Sequence, residues 1–187
     1  MEVYHSRIWG EIEFYKKIKN ESSILIEGFE NYQKRSSRNR YKILTSQGIQ
    51  TLSIPLKKGK NNQTLIQHVS ISYDDLWVNK HLNALKTAYH KAPYFEHYFP
   101  YIEHIYLQKR SHLFELNMAS IKLMLKLLQI NVHINITTEY STNTEALSLS
   151  DTLMPYPQVF EYKHGFTPGC CILDLLLCAG PESILYL

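Results

Sequence analysis

The sequence has few cysteines and no long apolar segment. Three cysteines occur among 187 residues, and Cys170 and Cys171 are adjacent, so they do not form the paired framework of a small secreted domain. The longest apolar run ends at Gly180, contains Asp174 and is too short to cross a bilayer. The range 1–19 lacks the apolar core of a signal peptide. We therefore expect a cytoplasmic protein with reduced thiols and no membrane span.

The sequence also lacks the short motifs of several large enzyme classes. It has no Gly-x-Ser-x-Gly elbow, no Walker loop and no glycine pattern of a dinucleotide site. P-loop kinases, Rossmann dehydrogenases and α/β-hydrolases are therefore disfavoured. His90, His97 and His104 recur every seven residues, but Pro93 and Pro100 fall between them and no HExxH or CxxC spacing is present. We expect neither a metal site nor a cofactor.

Composition and charge are those of an ordinary globular domain. Hydrophobic residues make up 44% of the chain and charged residues 20%, with a net charge of +3, and the range 1–187 suits a single domain. So weak a basic charge disfavours a nucleic-acid binder, because such domains usually carry a concentrated basic face. Tyrosine occurs 14 times, which fits either phenols at the edge of a core or a cleft that binds a sugar or a nucleobase.

The order of hydrophobic patterns predicts a mixed α/β (α+β) domain with a β-rich front, a helical middle and a late strand that rejoins the sheet. Alternating or short apolar runs predict strands over 23–29, 38–45, 49–56, 69–73 and 131–138, with a hairpin turn at 46–48. Helical spacing predicts a helix capped by Asp74 or Asp75, with Trp77, His81, Ala84, Leu85 and Ala88 on one stripe. It also predicts a helix from Tyr94 to Tyr106 that Pro100 kinks or restarts, a helix capped by Ser111 that reaches Leu128, and a last helix from Cys171 to Cys178. A polar connector is predicted for 142–152.

The basic segment from Gln33 to Arg40 is the most informative local stretch. Arg38 and Arg40 are two residues apart and share a face if a strand has begun. Two guanidinium groups side by side match a phosphate or a carboxylate. The same segment also fits a solvated basic edge that discourages strand pairing, so both interpretations are open on sequence alone.

Two further segments carry groups with possible chemistry. His81 is either a histidine at the edge of the core near Trp77, or an anion ligand or general base. The segment Tyr94 to Phe99 mixes rings with a carboxylate and an imidazole, and it fits a packed amphipathic helix as well as a binding surface.

Three groups of residues, in the same order along the chain, resemble the WbqC-like family of bacterial proteins. The first is Phe29 to Lys34 with Arg38-Asn39-Arg40, Gly48 and Leu52 to Pro55; the second is Trp77, Lys80-His81, Ala88-Tyr89 and Ala92 to Phe95, followed by Asn117; the third is Tyr156, Gln158 to Phe160, Lys163 to Phe166, Pro168 and Ile172 to Leu176. The resemblance spans roughly residues 13–187 and is nearest to short members from Bacteroidetes-type bacteria.

The chain departs from the family pattern in two places. Met1 to Glu11 lacks the Tyr-Leu-Pro type turn that is common in the family, which puts any role of that turn in doubt. Cys170-Cys171 stands where the family usually has Leu-Ser, which argues against a family mechanism with a cysteine nucleophile.

The resemblance implies work on a surface polysaccharide precursor such as that of the O-antigen, with a nucleotide-linked sugar as the expected substrate. His81 and Asp174 are then the expected catalytic residues, as groups that move a proton. Asp174 equally fits a buried acid that pairs with an arginine or caps a backbone. The expected substrate-binding residues, cations for a diphosphate and polar or aromatic groups for the sugar or base, are Gln33, Lys34, Arg38, Asn39, Arg40, Lys80, Tyr89, Tyr94, Tyr98 and Asn117.

Three functions are compatible with these residues. The first is a transferase that adds an acyl or aminoacyl group to an activated sugar or amino sugar. The second is a non-catalytic partner of another glycan-biosynthesis enzyme. The third is a nucleic-acid binder that uses Lys34 to Lys42 with Tyr32 and Tyr41 interleaved, but the weak overall charge disfavours it, so no nucleic-acid partner is expected.

Overall fold

The computed structural model describes residues 2–59, 61–144 and 153–187. The strands are β1 Val3–His5, β2 Ser23–Glu27, β3 Arg40–Thr45, β4 Gly48–Ser53 and β5 His133–Ile136. The α-helices are α1 Ile12–Ile18, α2 Trp77–Tyr89, α3 Phe95–Leu107, α4 Leu113–Leu127, α5 Glu161–His164, α6 Ile172–Ala179 and α7 Ser183–Tyr186, and short 3₁₀ helices lie at Asn61–Gln63, Ile66–His68 and Gly180–Glu182. The mixed α/β class predicted from sequence is confirmed.

A parallel three-stranded sheet joins the start of the chain to its late strand. β2 lies at the centre, with β1 on one side and β5 on the other. Parallel neighbours need a crossover connection, and α1 supplies it between β1 and β2. The prediction that the late strand rejoins the sheet is confirmed. The sequence patterns missed both β1 and α1. In the case of β1, a strand of three residues is too short to show alternation.

β3 and β4 form the predicted antiparallel hairpin, with Thr45 opposite Gly48 at the turn. Gly48 has a φ of 97°, a conformation that glycine adopts without a steric penalty. β3 buries Tyr41 and Ile43 on one face. The predicted strand at 69–73 is wrong, because Ser70 and Ile71 form single bridges to two different segments and no ladder.

The predicted helices of the middle are present, but their ends differ from the predictions. The N-cap of α2 is Leu76 and that of α4 is His112, one residue beyond the predicted Asp75 and Ser111. The acidic candidates have other partners, since Asp74 accepts from Ser72 Oγ at 2.8 Å and Asp75 pairs with Lys80. α3 runs through Pro100 without a restart, and Pro100 lies at an exposed position of the helix. Proline lacks the backbone N–H that would donate to the carbonyl four residues earlier.

The core lies between the sheet, the hairpin and the helices. α6 is buried along its whole length, which explains why its sequence is almost continuously apolar. None of the helices in the described ranges combines the length and apolar character that a membrane crossing requires. Most of the predicted polar connector, residues 145–152, lies outside the described residues.

Candidate functional site

A pocket of about 330 Å³ lies beside the start of α1. Its wall comes from the turn before α1 together with Glu13, from residues 35–37, from the first residues of β3 and from the segment before α6. Three backbone hydrogen bonds hold these segments together: Ile8 N donates to Ser37 O at 3.1 Å, Cys171 N to Lys42 O at 2.8 Å and Ile172 N to Gly10 O at 2.9 Å. The pocket is therefore built by distant parts of the chain that are fixed to one another.

Left-handed backbone occurs at four positions in or beside this pocket, one of them Gly169 with a φ of 84°. Trp9, Gly10 and Arg35 have φ values of 59°, 74° and 58°, and a bulky residue such as Trp9 rarely adopts such a φ. The Trp9 backbone is fixed on both sides, because its N–H donates to Ser120 Oγ at 3.2 Å and its carbonyl accepts from Tyr15 Oη at 2.7 Å. Strained backbone that its surroundings hold in place is concentrated at functional sites.

Glu13 contributes a buried carboxylate to the pocket. The residue is 5% exposed, and neither carboxylate oxygen has a hydrogen-bond partner of good geometry among the described residues. Burial raises the pKa of this carboxyl, and its own backbone N–H and Lys16 offset only part of that increase, while the nearby Glu11 adds to it. Glu13 is thus a desolvated acid on a residue that lines the pocket.

Arg40, Arg35 and Lys42 give the same pocket a cationic wall. Arg40 is half-buried, and its Nε is buried without a hydrogen-bond partner among the described residues. The other acid of the pocket, Glu11, is neutralised by Arg7, whose Nη1 lies 2.8 Å from Oε2. An anion that enters can therefore bind Arg40 without breaking an ion pair.

Arg38, the residue expected to pair with Arg40, has a different environment. Its Nε donates to Glu30 Oε1 at 2.7 Å, its Nη2 donates to Oε2, and both side chains are buried. Burial raises the pKa of Glu30, but hydrogen bonds from His5 and Arg38 outweigh it, so this pKa lies below its usual value. The two arginines do not form a joint anion site, because Arg38 is occupied by Glu30.

The expected binding residues around Arg38 have structural contacts or lie elsewhere. Asn39 accepts from Tyr32 Oη at 2.8 Å and donates to the Ile54 carbonyl at 3.0 Å. Asn117 donates to the Arg38 carbonyl at 2.9 Å. Gln33 and Lys34 line a second, more open groove with Tyr140, and Lys80 is exposed, paired with Asp75.

His81 ends a buried chain of hydrogen bonds. Trp9 Nε1 donates to Tyr106 Oη at 2.7 Å, Tyr106 donates to Tyr41 Oη at 2.8 Å, and Tyr41 Oη lies 3.1 Å from His81 Nδ1. Burial lowers the pKa of His81 to about 4, although a hydrogen bond to the backbone of Ser53 opposes that shift. His81 does not line the pocket, but its partner Tyr41 does.

Asp174 is the acceptor at the centre of a second buried network. Tyr89 Oη donates to Oδ1 at 2.8 Å, and Tyr156 Oη and Gln158 Nε2 donate to Oδ2 at 2.6 and 2.7 Å. Burial raises the pKa of Asp174 in spite of these hydrogen bonds. The residue is fully buried, and its partners are a pair of phenols and an amide rather than the arginine or backbone cap considered from sequence.

The two remaining aromatic candidates are in the helical layer. Tyr94 packs its ring against Gly180, where an added Cβ would lie 2.5 Å from the ring. Tyr98 is buried, with its ring centroid 6.4 Å from that of Tyr94. Neither tyrosine lines the pocket beside α1.

Of the residues that line the pocket, Arg40 was predicted from sequence as a binding residue. Arg35 and Lys42 lie within the basic stretch from Lys34 to Lys42 but were not predicted individually. Glu13 was missed, because an acid at the first turn of a short helix has no sequence signal that distinguishes a buried carboxylate from an exposed one. In the described part of the chain, no three His, Cys, Asp or Glu side chains come together as a metal site requires.

Comparison with known proteins identifies the family of the chain and a related protein. The model of the WbqC-like protein family matches residues 10–154, which include most of the pocket wall but not Ile8, Gly169 or Cys171. The chain is 28% identical over 194 residues to the uncharacterized protein Rv1507c of Mycobacterium tuberculosis, with 83% of each chain covered. No solved structure matches.

Proposed function

This chain belongs to the WbqC-like protein family, and from that premise we propose that it takes part in polysaccharide or O-antigen biosynthesis as a transferase. In this proposal it adds an acyl or aminoacyl group to a nucleotide-linked sugar that binds in the pocket beside α1. The proposal places the protein in the cytoplasm, which the three free, buried cysteines support, since free thiols are typical of reducing compartments.

The cationic wall of the pocket carries the proposal. Arg40 has a buried Nε without a hydrogen-bond partner among the described residues, and Arg35 and Lys42 lie at the same wall. Guanidinium groups bind phosphate oxygens through paired hydrogen bonds. The volume of about 330 Å³ is at the lower end of small-molecule sites, roughly 300–1,000 Å³. It fits a sugar with its phosphates, so the nucleoside would extend from the mouth.

His81 and Asp174 enter the proposal as positioning residues. His81 holds Tyr41, which lines the pocket. The backbone N–H of Asp174 donates to the carbonyl of Cys171, another residue of the wall, at 3.0 Å. Each is one residue removed from the cavity, so each would act on a substrate through the side chain or backbone that it supports.

Isothermal titration calorimetry with UDP-glucose, GDP-mannose and dTDP-glucose tests the proposal. An Arg35→Gln/Arg40→Gln variant removes two cations from the pocket. A Lys57→Gln/Lys58→Gln variant removes the same charge from an exposed loop and serves as the matched control. We expect at least one nucleotide-sugar to bind, with affinity at least tenfold weaker in the arginine variant and within about twofold of wild type in the control.

Two results would contradict the proposal. Equal losses in both variants would mean that binding depends on overall charge and not on this pocket. No binding of any nucleotide-sugar to the folded protein would favour the alternative, a non-catalytic partner of a glycan-biosynthesis enzyme, which co-purification with such an enzyme would then test.

A further inference from the structure

Glu13 and Arg40 line the same pocket, and each has buried polar atoms without a hydrogen-bond partner in the described part of the chain. Proteins rarely leave such atoms unpaired, because removing them from water without a replacement hydrogen bond costs stability. The Glu13 carboxylate and the Arg40 Nε do not form a hydrogen bond with each other. A ligand that supplied a donor to Glu13 and an acceptor to Arg40 would complete both.

We propose that the pocket binds a phosphorylated amino sugar, with the amino group on Glu13 and the phosphate on Arg40 and Arg35. This inference rests on the function proposed above and specifies its substrate class. A contact between Glu13 and the amino group favours amino sugars over neutral sugars, a preference that the cationic wall alone does not produce.

Glu13 is the acid of the pocket that is available to an amine. Glu11 lines the pocket as well, but Arg7 contacts its Oε2 at 2.8 Å and is itself 3% exposed. Glu13 is held at the first turn of α1, and the turn before that helix is fixed through the Ile172 N–H donated to the Gly10 carbonyl. Its two oxygens can therefore accept from a ligand without rearrangement of an existing pair.

The chemistry of the two ends distinguishes an amine from a hydroxyl. An ammonium group has three donors and a positive charge, so its hydrogen bonds to a carboxylate are charge-assisted and stronger than those from a hydroxyl. Partial desolvation in the pocket strengthens this difference. An N-acetyl group removes the charge and adds volume to a pocket of about 330 Å³, so the acetylated sugar should bind less tightly than the free amine.

A matched ligand series isolates the contact with Glu13. Glucosamine 1-phosphate, glucose 1-phosphate and N-acetylglucosamine 1-phosphate differ only at carbon 2, and inorganic phosphate reports the anion end alone. Calorimetry on the wild-type protein should give at least tenfold tighter binding for glucosamine 1-phosphate than for glucose 1-phosphate. In Glu13→Gln the preference should fall to within about threefold, with inorganic phosphate binding unchanged, whereas Arg40→Gln should weaken all four ligands.

Glu182→Gln removes an exposed acid and is the matched control for Glu13→Gln. If Glu13→Gln fails to fold, Glu13→Met replaces it with an uncharged side chain of similar length. A wild-type protein that binds the three sugar phosphates equally overturns the inference and leaves the proposed function standing. An amine preference that survives in the Glu13 variant also overturns it. If neither sugar phosphates nor nucleotide-sugars bind, both proposals fail.

Discussion

The Arg38 guanidinium is bound to the Glu30 carboxylate, with Nε 2.7 Å from Oε1, whereas Arg40 lines the pocket. The side chains of Arg38 and Glu30 are 4% and 3% exposed, and His5 Nδ1 lies 2.8 Å from Glu30 Oε2. The pair connects the segment that follows β2 to the segment that precedes β3. Arg38 therefore stabilises the wall of the pocket, and Arg40 is the arginine that is available to a ligand.

Arg38→Ala should destabilise the fold strongly. The substitution leaves the Glu30 carboxylate buried without its guanidinium partner, and breaking a buried pair in this way costs about 3–5 kcal/mol. Urea denaturation gives the free energy of unfolding. Arg40→Ala is the comparison, with an expected change within about 1 kcal/mol, because removing its side chain breaks no ion pair among the described residues. Equal losses of stability in the two variants would show that the Glu30 contact does not stabilise the protein.

The buried position of His81 predicts a loss of stability in acid. The pKa of its imidazole is about 4 in the folded protein against 6.5 when exposed, so the unfolded state binds more protons between these two pH values. Stability from this group is complete above pH 6.5 and is lost as the pH falls toward 4. At about 1.4 kcal/mol for each pH unit, the loss reaches up to roughly 3 kcal/mol.

A His81→Gln variant isolates this contribution from those of the carboxylates. Urea denaturation of both proteins from pH 7.5 to 4.5 gives the difference in unfolding free energy, which should shrink as the pH falls below about 6.5. His90→Gln, at an exposed position beyond the end of α2, is the matched control for the replacement of a histidine. A difference for His81→Gln that does not change with pH would mean that water reaches its ring.

Asp174→Ala should destabilise the protein by about 3 kcal/mol or more, because three donors lose their acceptor inside the core. Tyr156→Phe removes one of these donors and should cost about 1 kcal/mol. Thermal and urea denaturation measure both, with the exposed Glu182→Ala as control. An Asp174→Ala protein of wild-type stability that has lost only its activity would instead identify a catalytic acid.

The hairpin and the helices of the middle could be predicted from sequence because each carries a periodic pattern of its own. β1 could not, since a strand of three residues depends on its pairing with β2 more than on its own sequence. The single bridges of Ser70 and Ile71 mimic a strand pattern, because alternating burial arises whenever an extended segment crosses a core.

The residues of the candidate site, too, could be predicted from sequence only in part. The basic segment indicated an anion site, and Arg40 does line the pocket. Sequence could not separate Arg38 from Arg40, because the difference depends on Glu30, which reaches Arg38 only in the folded chain. Glu13 was missed for the corresponding reason, since it comes to line one pocket with residues 35–37, Gly169 and Cys171, far away in sequence, only in the folded chain.

Gly180→Ala tests whether Tyr94 is fixed in the core or free to bind a ligand. The new Cβ would lie 2.5 Å from Tyr94 Cγ and Cδ1, at a φ of 57°, so we expect a loss of roughly 3 kcal/mol from overpacking and strain together. Gly165→Ala, with a φ of 66° and no atom within 4 Å, carries the strain alone and should cost about 1–2 kcal/mol. Urea denaturation measures both variants.

Adding Tyr94→Ala to Gly180→Ala completes a double-mutant cycle. If the ring is fixed against the glycine, its removal should recover most of the steric part of the loss, and Tyr94 then has a packing role with no freedom to stack on a sugar or base. If Gly180→Ala costs no more than Gly165→Ala, the ring moves aside at little cost. A ring that moves so easily in a helical layer would return Tyr94 to the set of residues that can contact a substrate.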